Sequence, residues 1–550
     1  MRKLGGLQRP QKQVVAQGVA LPAPVGGWDA ISPLANMPID RAVQIDNWVC
    51  RPGWIEPRKG SVVHATGVGS ATTPVQTLMA YNSFSSGSNK LFAAAGSTIY
   101  DVTNIGAATP TTVTSLSSSR LQYIMFSNAA DLQYLVTCNG IDGPWLYNGS
   151  AWSQPSITVA SGSNTFDPTE FIGVNAYQGR LWYVQQNSTD PVYMTTVGAV
   201  SGSAFAFPLG QLLNKGGYLM AIGRWTVDTR QNVDEYIAFI SSRGEVVVYA
   251  GTDPSTASTF QLVGIYQIGA PIGRRCFLRI SGDLQIITVD GVVGMSEMLS
   301  TDRAAANRVS LTSIIMNAMA SAAQQYRNNF GWQLIEYAAG TLAILNIPIQ
   351  ENSNQMQFVM NTITGAWSRF IGLNPASGQP NPGFGINANT WEVDASDNIY
   401  WAGNNGTVYQ WNIGGGDGAV PITCLVKGAY NNFGNAAQLK CYKMLQPLIT
   451  TSGNPLPSIG INVDFQDTNI LSTEEPIVSA QSLWGQVDWG QFDWASSATV
   501  TNNWLSVSGI GHYVSIVTQI TTVPNPNNPA SAVTVQLNGW NMTSEAGAFV

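Results

Sequence analysis

The chain has 550 residues, too many for one compact core, and carries 25 Lys and Arg against 32 Asp and Glu, a net charge of −7. That mild acidity excludes a protein that grips nucleic acid through an excess of basic residues. Charged residues make up 10% of the chain, well below the roughly 25% of an average globular protein. Hydroxyls and amides must therefore keep the surface wet, as in extracellular and virion proteins and in subunits that bury much of themselves against neighbours.

The first residues are basic through Arg2, Lys3, Arg9 and Lys12 and lead into Leu21-Pro22-Ala23-Pro24-Val25-Gly26-Gly27. Residues 1–35 read as an extended arm that cannot fold alone and orders against a partner or a neighbouring subunit, with the four basic side chains as candidate contacts. No apolar stretch of the signal-peptide kind follows them, and no run reaches the ~20 apolar residues of a membrane helix. The expectation is a chain made in the cytoplasm that spans no membrane.

From about residue 75 to 418 a Gly turn followed by an apolar or aromatic strand recurs, as at Gly140 before Trp145-Leu146-Tyr147, Gly179 before Leu181-Trp182-Tyr183-Val184, and Gly244 before Val246-Val247-Val248-Tyr249. The segment Phe330 to Phe370 shows the unit best. Four short apolar or alternating runs, closed by Gly, Asn or Ser, make two consecutive hairpins, the pattern of one β-propeller blade. Six or seven blades are expected. One segment breaks the period: Leu311, Ile315, Met319, Ala322 or Ala323, and Tyr326 share a helical face, with Ser310 or Thr312 placed to cap it.

Gly414-Gly415-Gly416-Asp417-Gly418 reads as a flexible linker. Beyond it, strands such as Lys440 to Ile449, Tyr513 to Ile520 and the alternating Val533 to Leu537 point to a second β-domain, most simply a sandwich. The expected class is all-β, with one inserted helix. Its expected division is an arm at 1–35, a propeller with its lead-in segment at 36–418, and a sandwich-like domain at 419–550.

Groups that do chemistry are scarce. The only histidines are His64 and His512, and no P-loop, nucleophile elbow or dinucleotide fingerprint is present. Cys50, Cys138, Cys276, Cys424 and Cys441 form no metal-binding spacing and read as free thiols, with a Cys424–Cys441 bridge as the alternative. Asp234, Glu235, Asp283, Asp290, Glu297 and Glu336 share no spacing that would mark a glycosidase pair. No catalytic, cofactor or metal site is expected. Trp484, Trp489 and Trp494 recur every five residues, a period that fits neither a strand face nor a helix face. They are candidate interface residues, for a protein partner or for a glycan.

Several short motifs together resemble the tail nozzle or tail hub proteins of short-tailed bacteriophages. They are Gly26-Gly27-Trp28, Pro33 to Pro38, Ala42 to Trp48 and Arg51 to Gly60 near the start. In the middle come Phe330 to Gln333, Leu345 to Pro348, Gln357 to Asn361 and Thr364 to Trp367, followed by Asn405 to Tyr409, Gly416 to Gly418 and Asp464-Phe465. The resemblance implies a non-enzymatic virion subunit in the tail, assembled as a homo-oligomeric ring, commonly a hexamer, below portal and adaptor proteins. Tail fibres or spikes would be neighbours, and viral DNA would pass through without specific binding. A receptor- or glycan-binding tail module is the alternative, and a polysaccharide-degrading tail enzyme the third.

Overall fold

The computed structural model describes residues 16–550 except 129, 229–232, 281, 301–309, 374–379, 382–384, 453–456, 468–471, 474–498, 502, 523, 525–531 and 550. Its described residues fall into two compact units, one within 58–422 and 523–532, the other within 16–57, 423–522 and 533–549.

The first unit is a β-propeller of seven blades. Blade 1 begins with Val75–Tyr81, blade 2 with Gln122–Ser127, blade 3 with Phe171–Tyr177 and blade 4 with Leu219–Asp228. Blade 5 begins with Phe277–Ile280, blade 6 with Gln333–Tyr337 and blade 7 with Thr390–Val393. Each continues as an antiparallel meander, and the first strands stand around the axis. Blade 6 is built as its sequence predicts, from Gln333–Tyr337, Leu342–Gln350, Asn354–Asn361 and Trp367–Phe370. Asn352 makes the turn between its central strands at φ 56°, a conformation Asn tolerates better than most residues.

The ring closes with chain from its own beginning. Ser61–Thr66 pairs antiparallel with Thr407–Trp411 as the outer strand of blade 7. The hairpin turn at Gly406 has φ +63°, and a Cβ there would meet the Ser70 carbonyl oxygen at 2.4 Å, so only glycine fits. Closure is reinforced by the supposed linker. Gly416-Asp417 pairs with Pro421 and Val420, and Asp417 accepts both Arg58 guanidinium nitrogens at 3.0 and 2.5 Å. Arg58 is buried and needs that carboxylate, which is why this glycine-rich run is a clasp and not the flexible hinge expected. A Cβ at Gly60 would lie 1.9 Å from the Gly416 oxygen, so the two glycines let the backbones touch.

Apolar clusters join neighbouring blades. One between blades 3 and 4 gathers Trp182, Tyr193, Phe239 and Phe260, and others join blades 1 and 2, 2 and 3, 4 and 5, and 7 and 1. Blade 5 has three described strands, and the helix Met316–Tyr326 packs against its last strand and against blade 6. Met319, Ala322 and Ala323 are its buried face and Ile315 is buried in the 3₁₀ turn just before it, as the spacing predicts. Leu311 instead precedes the helix and, like Tyr326, is only half-buried. Thr312 does not cap it. Its hydroxyl accepts from Val292 N at 3.1 Å, satisfying a blade backbone group instead, and a shorter helix, Met295–Ser300, precedes it.

The second unit is a two-sheet β-sandwich. One sheet centres on Gln438–Thr451 paired along its length with Val535–Phe549; the other brings Val420–Gly428 together with Arg41–Asp46, Val514–Thr522 and Ser458–Val463. Trp540 Nε1 donates to Thr518 Oγ1 at 2.9 Å from one sheet to the other. The last strand is far longer than predicted because it also takes Gln17–Pro22 along its other edge. Gln17–Pro22 of the expected arm is therefore an ordered strand paired within its own chain, with Leu21 buried, and needs no second subunit to hold it. The division differs from the expected one in the same sense, since residues up to 57 cluster with the sandwich. Cys424 and Cys441 lie on strands of different sheets, and all five cysteines are free thiols. Burial pushes the Cys50 and Cys276 thiols up to about 12.

Candidate functional site

The first strands of a propeller leave an axial space, and here side chains cross it. Arg275, just before blade 5, donates to Thr390 Oγ1 of blade 7 at 3.0 Å and to Thr77 Oγ1 and the Gln76 carbonyl of blade 1 at 2.7 and 3.2 Å. It also reaches the Leu121 carbonyl at the start of blade 2, at 3.0 Å. Its guanidinium lies 5.2 Å from the Phe330 ring centre, and that of Arg120 lies 4.4 Å from the same ring. Arg120 pairs with Glu351 at 2.8 Å, while Glu351 also accepts Phe330 N at 2.6 Å. The axis is thus plugged by a network that touches five of the seven blades. A second bridge runs from Tyr123 of blade 2, whose hydroxyl donates to Glu392 of blade 7.

Next to the plug lies a cavity of about 260 Å³, lined by Gln122, Tyr123, Asn175, Arg274, Arg275 and Gln333 among others. Gln333 is held by Trp391, giving Nε2 to its carbonyl at 2.8 Å and accepting its N–H at 3.0 Å. Asn175 Nδ2 donates to the Ile222 carbonyl at 2.7 Å. Arg274 Nη1 donates to the Met220 carbonyl at 3.0 Å, with Tyr218 under its guanidinium at 5.6 Å. Burial depresses the pKa of Arg274, and burial, helped by the charge of Arg120, brings Arg275 down to about 10. Among the described residues no carboxylate lines the cavity, so the two-carboxylate geometry of glycoside hydrolysis is not found there.

Glu392 is the titratable group of interest beside it. Burial pushes its carboxyl well above the ordinary range, so the folded chain holds that proton more tightly than the unfolded chain. Stability is then full below the ordinary glutamate pKa and falls as pH rises through it toward the folded value. Glu392→Gln should remove this loss, matching the parent near pH 4 and becoming the more stable of the two as pH rises to 7. Calorimetric melting of both proteins across pH 4–8 checks it, and parallel pH curves would refute it.

The sequence signalled little of this. None of Glu235, Asp283, Asp290, Glu297 and Glu336 lines the cavity; Glu235 accepts from Gln178 at 2.9 Å, and Asp283 accepts Ser296 N at 3.1 Å. The one available clue was Arg274-Arg275, two adjacent cations inside the apolar run from Ala270 to Leu278 of a charge-poor chain. Neither histidine lines the cavity. His64 is buried with Nε2 at 2.8 Å from the Val102 carbonyl, and His512 has its backbone N–H held by Asp464 at 2.8 Å. Among the described residues no group of His, Cys, Asp and Glu is placed to hold a metal, and no helix is long and apolar enough to cross a membrane. Trp484, Trp489, Trp494, Arg2, Lys3, Arg9 and Lys12 all lie outside the described residues.

Neither a protein-family model nor a curated protein matches the chain. Among solved structures it is similar to BBS1N in its complex with ARL6DN, at 10% identity and a TM-score of 0.39 over 64% of this chain and 97% of that one. It is also similar to the WD40 β-propeller domain of Doa1, at 10% identity and 0.35 over 64% and 97%. A third is the extracellular domain of the putative hybrid two-component system BT3049 of B. thetaiotaomicron, at 11% and 0.38 over 63% and 41%. The propeller itself follows from the chain's own strand pairing.

Proposed function

We propose that the chain is a structural subunit of a short-tailed phage tail, one copy of a nozzle or hub ring that extends the portal channel, retains the packaged genome and conducts it at ejection. The observation that carries this reading is the set of motifs resembling that family, which run from Gly26 to Phe465 and so draw on both the sandwich and the propeller. The charge-poor, mildly acidic composition supports it, since a wall dense in Lys and Arg would pin the phosphates of a sliding duplex. The role is mechanical, without catalysis. In this reading the conduit is the lumen between copies of the chain, because the propeller's own axis is crossed by Arg275 and its neighbours. Portal and adaptor proteins on one side and fibres or spikes on the other are the partners proposed.

Electron microscopy of the purified protein and of virions tests it. The expected result is a ring with an open centre, commonly six-fold, on the tail axis. In a gel shift at about 150 mM salt the isolated subunit should bind duplex DNA no tighter than ordinary non-specific association, ~10⁻⁶ M. A peripheral, ringless particle in virions would overturn the proposal, and a Kd far below that limit would overturn the low-friction wall.

A further inference from the structure

We infer that the axial cavity of the propeller is a binding site for a small oxyanion, a carboxylate or phosphate group on a molecule of modest size. Arg274 and Arg275 both line it, and among the described residues neither has an ion-pair partner. Two adjacent guanidinium groups held in a half-closed space without a counter-ion are costly, and an anion would offset that cost. Arg275 spends both terminal nitrogens on the plug. Among the described residues Arg274 has a single side-chain hydrogen bond, from Nη1 to the Met220 carbonyl, which leaves further donors of its planar fork for an oxygen pair, the geometry that suits carboxylate and phosphate. The Gln122 amide also lines the cavity and brings neutral donors and acceptors for the rest of the ligand.

Size and access set the ligand class. A cavity of about 260 Å³ lies just below the usual range of small-molecule sites, roughly 300–1,000 Å³, a size for inorganic phosphate or a single acidic sugar. Gln122, Tyr123, Asn175, Arg274 and Gln333 all keep partial exposure, so the cavity meets solvent. Among the described residues the wall has no carboxylate to repel an anion, since Glu392 bonds to Tyr123 from outside the lining and is held toward its neutral form by burial. This site does not depend on the ring: a chain that binds no anion could still build a tail, and a monomeric chain could still bind one.

Isothermal titration of the full chain tests the site, with inorganic phosphate and galacturonate as probes and neutral galactose as the control. At least one anion should bind, more weakly as salt rises, and galactose should not. A phosphate-only response assigns a phosphate ligand, and a galacturonate response assigns a carboxylate. Arg274→Gln should weaken anion binding by at least about tenfold, and Arg274→Lys by less, because it keeps charge but loses the fork. Arg243→Gln, at an exposed arginine outside the cavity, should bind as the parent does. No anion binding up to millimolar concentration, equal binding of galactose, or full binding by Arg274→Gln would each overturn the proposal. The comparison of probes on the parent protein stands even if a variant fails to fold.

Discussion

Trp182→Ala is expected to destabilise the propeller by about 3–5 kcal/mol, the range for emptying a fully buried large aromatic site. The indole is fully buried in the wedge between blades 3 and 4, with Tyr193 at 4.9 Å, Phe239 at 5.4 Å and Phe260 at 6.0 Å between ring centres. Its Nε1 has no hydrogen-bond partner among the described residues, so the site depends there on shape and apolar contact. Trp182→Phe should for that reason recover most of the loss, leaving about 1–2 kcal/mol for the smaller ring. The rigid sheets on both sides cannot close a gap of that size without moving a whole blade. Differential scanning calorimetry of parent and variants measures it. An alanine variant within 1 kcal/mol of the parent (~1 being an ordinary substitution effect) would show that the blades slide together.

Arg275→Leu should cost about 2–4 kcal/mol, by a different route. Two terms oppose each other here. The substitution strips hydrogen bonds from the Gln76 and Leu121 carbonyls and from the Thr77 and Thr390 hydroxyls, and a buried partner left unsatisfied costs about 1–3 kcal/mol. Against that, it removes a charge that burial disfavours, as the lowered pKa shows. The first term should win because four acceptors on three blades each lose a donor together, although Thr77 Oγ1 keeps the Leu121 N–H. Arg275→Lys should recover less than half, since one compact ammonium cannot serve acceptors that the guanidinium fork reaches at once. Urea unfolding read by tryptophan fluorescence reports the effect, and a leucine variant as stable as the parent would mean that the charge cancels its own bonds.

The propeller was readable because its local signals agree. In blade 6 each apolar run ends at a residue that turns well, and Asn352 and Gly365 sit at positive φ where the sequence suggests turns. The helical face from Ile315 to Ala323 was readable for the same reason, an apolar period with no competing pattern. What failed were readings that needed a distant partner. Gly414 to Gly418 has the composition of a hinge, and nothing nearby reveals that Asp417 meets Arg58 from the other end of the propeller. Residues 17–22 look like a loose arm until Val535–Phe549 supplies an edge. The axial site was illegible for a stronger reason. Tyr123, Arg275, Gln333 and Glu392 come from four blades, and their proximity is a property of ring closure that no spacing records.

Closing the ring with Ser61–Thr66 has a consequence for how the chain is made. On the ribosome that strand emerges early, but its partner Thr407–Trp411 follows roughly 340 residues later. At about 5–20 residues per second the wait is tens of seconds. Gln17–Pro22 waits longer still, for the last strand of the chain. Through that interval two strand edges stand open while the blades behind them stack, and an open edge is a template for pairing with the wrong chain. Production of this protein is thus a race between elongation and edge-to-edge capture. Slow translation or crowded polysomes should favour aggregates, and a holdase that covers these first segments should raise the yield of closed propellers without altering their final stability.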